Sequence, residues 1–134
     1  MTEAKQRLLD GTVEFLLTNG AGPVSLRQLA AALGTSHRML IYHFGSKEGL
    51  LVEVVRAMER RQREIFAELD LDSEASPEEV ARRFWRRLAD PANWPHERLF
   101  FELYGRALQG DPYAAPLLDS IVESWLAPLS EWIS

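Results

Sequence analysis

Cysteine is absent from this chain, which excludes disulfides, thiolate metal sites and cysteine nucleophiles and fits a reducing interior. Histidine is scarce. The three that occur are His37, His43 and His96, and the step of six residues between the first two puts them on different faces of a helix, so no metal site is expected. There is no Gly-rich phosphate loop, and nothing repeats at a fixed period as a solenoid would. Near the N-terminus, Asp10 and Glu14 follow Lys5 and Arg7 and interrupt any signal-peptide core, while no apolar run is long enough to cross a bilayer. A cytoplasmic protein with no cofactor and no membrane partner is the expectation. Ser36, His37 and Glu48 could be drawn as a Ser-His-acid set, but helix caps and helix-pair residues account for them more simply, so no enzyme is expected.

What is present is an ordinary globular composition. With 46% hydrophobic and 26% charged residues in 134 positions, the chain is one domain's worth of polypeptide, able to bury about two-thirds of its unfolded surface. The net charge of -5 is unevenly placed: residues 1–49 carry five basic against four acidic residues, a balance of +1, and residues 50–134 carry ten against sixteen, a balance of -6. A near-neutral head on an acidic body is compatible with nucleic-acid binding through a few placed cations and argues against strong non-specific affinity.

The chain is organised around Ser25 to Lys47, SLRQLAAALGTSHRMLIYHFGSK. Ser25 with Gln28 makes a capping box, and Val24 can staple onto Leu29, so a helix start is specified by several signals at once. Its apolar stripe is Leu26, Leu29, Ala30 and Leu33. Gly34 supplies a left-handed stop, and Thr35 or Ser36 caps a second helix whose inward residues are Leu40 and Phe44. Two helices joined this tightly must cross steeply, the geometry that delivers a second helix to a DNA major groove, although short capped pairs are also common in plain helical proteins. At roughly 100° per residue, Leu40 and Phe44 put Arg38 and Tyr42 on the opposite side and Met39 and Ile41 on the flanks. Arg reads guanine, Met or Ile touches a thymine methyl, and the polar groups of Tyr, His and Ser reach phosphates, so the candidate DNA contacts are Ser25, Ser36, His37, Arg38, Met39, Ile41, Tyr42, His43 and Lys47.

The run Gly34-Thr35-Ser36, then Leu40, His43-Phe44 and Ser46-Lys47-Glu48 with Leu50-Leu51, resembles the DNA-binding signature of the TetR family of bacterial transcriptional regulators. One position departs from it: Ile41 stands where the family usually has Tyr, and Tyr42 follows. The resemblance implies a homodimeric repressor or activator, released from a double-stranded DNA operator when a small hydrophobic effector enters a helical domain C-terminal to the helix-turn-helix. It also gives Lys47, at a helix N-terminus, the role of a phosphate clamp, which the residue's position suggests independently. Regulators of this kind usually continue for several more helices that form the dimer interface, so an incomplete C-terminus is expected.

The expected architecture is all-α: a helix-turn-helix DNA-binding head over residues 1–49 and a partial helical regulatory, ligand-binding and dimerisation domain over residues 50–134. A first helix from about Glu3 to Asn19 buttresses the pair through Leu9, Val13, Leu16 and Leu17. A long helix starts at Ser46, with Leu51, Val54, Met58, Ile65 and Leu69 inward. Residues 70–76 form a polar loop, Ser76-Pro77-Glu78-Glu79 opens the next helix with Glu completing a capping box, and Glu78 and Glu79 pair with Arg82 and Arg83. DPANWP at Asp90–Pro95 breaks the chain before a helix from about His96 to Gln109, and Gly110-Asp111-Pro112 breaks it again. The last helix, kinked at Pro128, carries apolar residues on more than one face, and an exposed patch around Trp125, Leu129 and Ile133 is expected. Phe84, Trp85, Phe100, Phe101, Tyr104 and Trp125 are the candidate effector pocket, with His96, Glu102 or Arg106 as polar orienters, though aromatics at helical spacing first of all fill cores. A DNA-binding protein without effector and a helical protein-interaction module are the competing readings.

Overall fold

The computed structural model describes residues 1–68, 74–121 and 130. Among them it has seven α-helices, two 3-10 turns and no strand. Helix α1 runs Glu3–Asn19, α2 Leu26–Leu33, α3 His37–Phe44, α4 Lys47–Glu68, α5 Pro77–Ala89, α6 Trp94–Leu108 and α7 Ala115–Ile121.

The starts of these helices follow from local chemistry. Thr2 caps α1, Ser25 caps α2 with the reciprocal Gln28 bond, Ser36 caps α3, and the Ser76 hydroxyl accepts from the Glu79 amide at the head of α5. The expected second half of the box at α5 gives way to a different use of Glu79. Its carboxylate lies 3.9, 3.6 and 3.4 Å from Arg82, Arg83 and Arg86, because three guanidinium groups reach it along the same face.

Helix α6 begins two residues earlier than expected. Pro91–Asn93 forms a 3-10 turn capped by the Asp90 carboxylate, which accepts from the Ala92 amide, and Pro95 sits in the first turn of α6, where a missing N–H costs nothing. The last helix is described as far as Ile121. Leu69, the loop from 70 to 73, the Pro128 kink and the patch at Trp125, Leu129 and Ile133 lie outside the described residues.

One apolar core runs through both halves. Leu8, Leu9, Leu16 and Leu17 of α1, Leu29 and Ala30 of α2, and Leu40 and Phe44 of α3 meet Leu50, Leu51, Val54, Val55 and Met58 of α4. The same cluster continues into Leu99, Phe100, Leu103 and Ala107 of α6 and Leu117 of α7. The stripe on α4 is wider than a single heptad line, since Leu50, Val55 and Gln62 are buried beside Leu51, Val54, Met58 and Ile65. Thr12 is buried in α1 with its hydroxyl donating to the Leu8 carbonyl at 2.7 Å, which lets a polar residue occupy an apolar face. No described helix is long and apolar enough to cross a membrane.

Candidate nucleic-acid interface

The pair α2–α3 is fixed by its ends. Ser25 accepts from the Gln28 amide at 3.1 Å while Gln28 Oε1 accepts from the Ser25 amide at 2.9 Å. At the turn, Gly34 adopts a left-handed φ of 69°, and the Thr35 amide donates to the Ala30 carbonyl at 3.0 Å. Of the two candidate caps for α3 it is Ser36 that serves, accepting from the Met39 amide at 3.1 Å. Gly45 closes α3, and the Ser46 hydroxyl accepts from the Gly49 amide at 3.0 Å, so α4 starts within three residues of the end of α3. A side chain at Gly49 would collide with the Phe44 carbonyl; the first turn of α4 lies directly against the end of α3.

On α3, Leu40 and Phe44 are buried and the other side is open: His37 and Arg38 are exposed, as are Met39, Ile41 and Tyr42, the last 77% exposed. Three of these are large apolar groups left in solvent on one eight-residue helix. His43 is half-buried, its ring edge-on to Tyr42 at 5.0 Å, and its Nε2 is buried without a hydrogen-bond partner. Lys5 of α1 sits over the Phe44 ring at 5.4 Å, adding a cation that the sequence pattern did not single out. Ser25 and Lys47, far apart in sequence, line the same small hollow with Thr12, Val24 and Leu50, so the starts of α2 and α4 lie side by side. The arrangement sets the exposed face of α3 near two helix N-termini, groups of a kind that can hold phosphates.

The aromatic set of the body is not gathered in the same way. Phe100 is in the core, stacked on half-buried Tyr104 at 6.3 Å, and Phe101 meets Phe100 edge-on at 5.5 Å but is 63% exposed. Phe84 is half-buried, Trp85 is 68% exposed, and Trp125 lies outside the described residues. Of the polar orienters, Arg106 lies 3.7 Å from Asp111, and His96 faces an open cleft with Asp10 and Glu14 of α1 and Arg60, Arg61 and Glu64 of α4. Burial, with Arg61 nearby, holds the His96 imidazole below its usual pKa, and burial pushes the Glu97 carboxyl up. Glu102 reaches across to the head, where its carboxylate accepts from the Ala21 amide. Among the described residues no group of histidines and acids could hold a metal.

A short helix pair joined at a capped glycine turn, with an exposed second helix and a long connecting helix, has the form of a helix-turn-helix DNA-binding fold. Residues 8–54 match the family of bacterial regulatory proteins, tetR family. Two solved structures of the multidrug binding protein EbrR share the fold. Its imidazole complex has a TM-score of 0.79 at 24% identity over 97% of this chain and 73% of that one. The malachite green complex gives 0.70 at 23% over 95% and 76%. The TetR family transcriptional regulator PfmR from Thermus thermophilus gives 0.64 at 26% over 95% and 70%. A comparison with curated proteins finds no match. The similarity to the TetR family thus rests on the helix-turn-helix head, residues 8–54, and on the fold shared with these structures.

Proposed function

We propose that this chain is a transcriptional repressor that binds a double-stranded operator as a homodimer in the cytoplasm and is released by a small hydrophobic effector. The observation that carries the DNA-binding part is the exposed face of α3, with Arg38, Met39, Ile41 and Tyr42 outward while Leu40 and Phe44 anchor the helix. Arg38 reads a guanine edge, Met39 and Ile41 touch thymine methyls, and Ser25, Ser36, His37, Tyr42, His43 and Lys47 hold backbone phosphates. An effector is supported by the similarity to EbrR, a multidrug binding protein seen with imidazole and with malachite green. Pairing of two chains is supported by Trp94, Phe101 and Leu108, which stand exposed at seven-residue intervals along α6. The protein does no chemistry in this reading.

Selecting bound sequences from random DNA tests it. A single enriched site, bound with an affinity that falls steeply with salt, is expected, and binding indistinguishable from unrelated DNA would end the proposal. Titration with malachite green tests the effector: tryptophan quenching should accompany loss of DNA affinity, because binding linkage is reciprocal. A DNA-binding protein without effector is the second reading. It is favoured by the packing of Phe100 into the core while Trp85 and Phe101 face solvent, an arrangement in which the three do not line one cavity.

A further inference from the structure

Two hydrogen bonds join body helix α6 to the head at one place. Arg98 donates to the Leu17 carbonyl at 3.1 Å, and Glu102 Oε1 accepts from the Ala21 amide at 2.7 Å. The donors and acceptors sit on either side of the end of α1. Leu17 belongs to its last turn, where carbonyls lack helical partners and the helix dipole attracts a cation. Ala21 follows the stop at Gly20, where the chain has left the helix and its N–H needs an acceptor. Arg98 and Glu102 are one turn apart on α6, so one rigid face supplies the cation and the anion in the order that the end of α1 requires. A side chain at Gly20, which has a φ of 79°, would come within 3.3 Å of the second Glu102 oxygen, so the carboxylate lies closely against the turn. That turn leads within four residues to the Ser25 cap of α2 and so to α3.

We infer that Arg98 and Glu102 are positioning residues for DNA recognition: they fix the angle of the head against α6 and thereby decide which half-site spacing a two-headed protein accepts. The inference rests on the DNA-binding reading above. Both side chains are committed to backbone partners at the end of α1, so their effect is on where the two reading helices point and not on what each reads. A two-fold assembly binds two half-sites tightly when both heads meet the major groove without strain, and a loosely held head tolerates other spacings at the cost of affinity for the best one.

The experiment uses the full chain and a series of DNA duplexes carrying two selected half-sites whose separation varies in single base-pair steps, with a single half-site as reference. The unmodified protein should prefer one spacing over its neighbours two base pairs away by about tenfold. Arg98→Ala and Glu102→Ala should flatten that preference to less than about threefold while single-half-site affinity stays the same. Glu102→Gln, whose side-chain oxygen still accepts from Ala21, should retain it. Hydrogen exchange at the Ala21 amide should accelerate in Glu102→Ala and not in Glu102→Gln. A merely structural role would lower the folded fraction and weaken every duplex in proportion, leaving the preference intact. Unchanged spacing preference and unchanged Ala21 exchange in Glu102→Ala would overturn the positioning role and leave DNA binding standing. No sequence-specific binding by the unmodified protein would remove the DNA-binding reading itself.

Discussion

The head and the body are held together by different kinds of contact, and the difference explains why one discloses its function more readily than the other. In the head each helix start is closed by a neighbour three residues along: Thr2 by Lys5, Ser25 by Gln28 and Ser36 by Met39. Apart from Met1, its exposed large apolar side chains lie together on α3. The body keeps local caps at Ser76 and Asp90 but adds polar contacts across longer intervals of sequence, as where Arg61 of α4 donates to Asn93 at 2.6 Å and Arg87 meets Glu68 at 3.2 Å. Asn93 and Gln62 are buried, and large apolar groups are exposed on α5 and α6. The head is a locally specified unit with an exposed apolar face on α3, whereas the body also depends on long-range polar matching.

The largest expected effect tests whether the core is continuous across that divide. Leu40→Ala in α3 and Leu103→Ala in α6 each open a cavity at a fully buried leucine and should each cost about 2–5 kcal/mol. All four tryptophans lie in residues 50–134. If the cluster acts as one, Leu40→Ala shifts urea unfolding followed by tryptophan fluorescence as much as unfolding followed by helical circular dichroism. Two separated transitions would show two independent cores. Next comes the buried polar link of the body. Asn93→Ala removes the acceptor of Arg61 and the donor to the Arg87 carbonyl, and should cost about 1.5–3 kcal/mol because a charged group loses its partner. Denaturant midpoints measure it, and a change near zero would mean that water replaces Asn93.

Caps sharpen the comparison. Ser25→Ala and Ser76→Ala each remove one hydroxyl acceptor and should cost alike, about 0.5–2 kcal/mol, whereas Ser25→Ala combined with Gln28→Ala removes both halves of the box and should cost more than Ser25→Ala alone. Equal losses for the single and double variants on thermal unfolding would deny the Gln28 half of the box any value. The smallest effect is a pH dependence centred on His96, in the cleft between α1 and α4. Burial and Arg61 disfavour the charged His96, so the folded chain takes up that proton at lower pH than the unfolded chain, whose value is 6.5. Stability therefore falls as pH drops below 6.5 toward the folded-state pKa. Glu97 acts in the opposite sense, since its raised pKa means that protonation relieves the burial of its carboxylate as pH falls. His96→Asn should make the loss of stability between about pH 7 and pH 5 shallower than in the unmodified protein, as read from unfolding midpoints across that range; an unchanged slope would remove His96 from the balance.

How far the sequence could be read follows the same divide. The bounds of α1, the box at Ser25, the left-handed Gly34 and the inward Leu40 and Phe44 were legible because each depends on residues within one or two turns. The spacing could not choose between Thr35 and Ser36 as a cap, since both hydroxyls are within reach, and it passed over Thr12 because a hydroxyl that bonds its own helix looks polar in a pattern. In the body, aromatic content suggested one pocket, but helix phase sends Phe100 inward and the adjacent Phe101 outward. The start of α6 was misplaced because Pro95 reads as a breaker when it is a first-turn residue. The roles of Arg98 and Glu102 were out of reach, because their partners lie 81 residues away.

The central claim is that α3 reads bases while the N-terminus of α4 grips phosphate. It is tested most directly by the base-preference profile of Arg38→Ala and Lys47→Ala on the selected site and on single-base variants of it. Arg38→Ala should erase discrimination at one position, at a cost of roughly 1–3 kcal/mol, and Lys47→Ala should weaken all variants alike and lower the salt dependence. Base discrimination that survives Arg38→Ala unchanged would contradict the account.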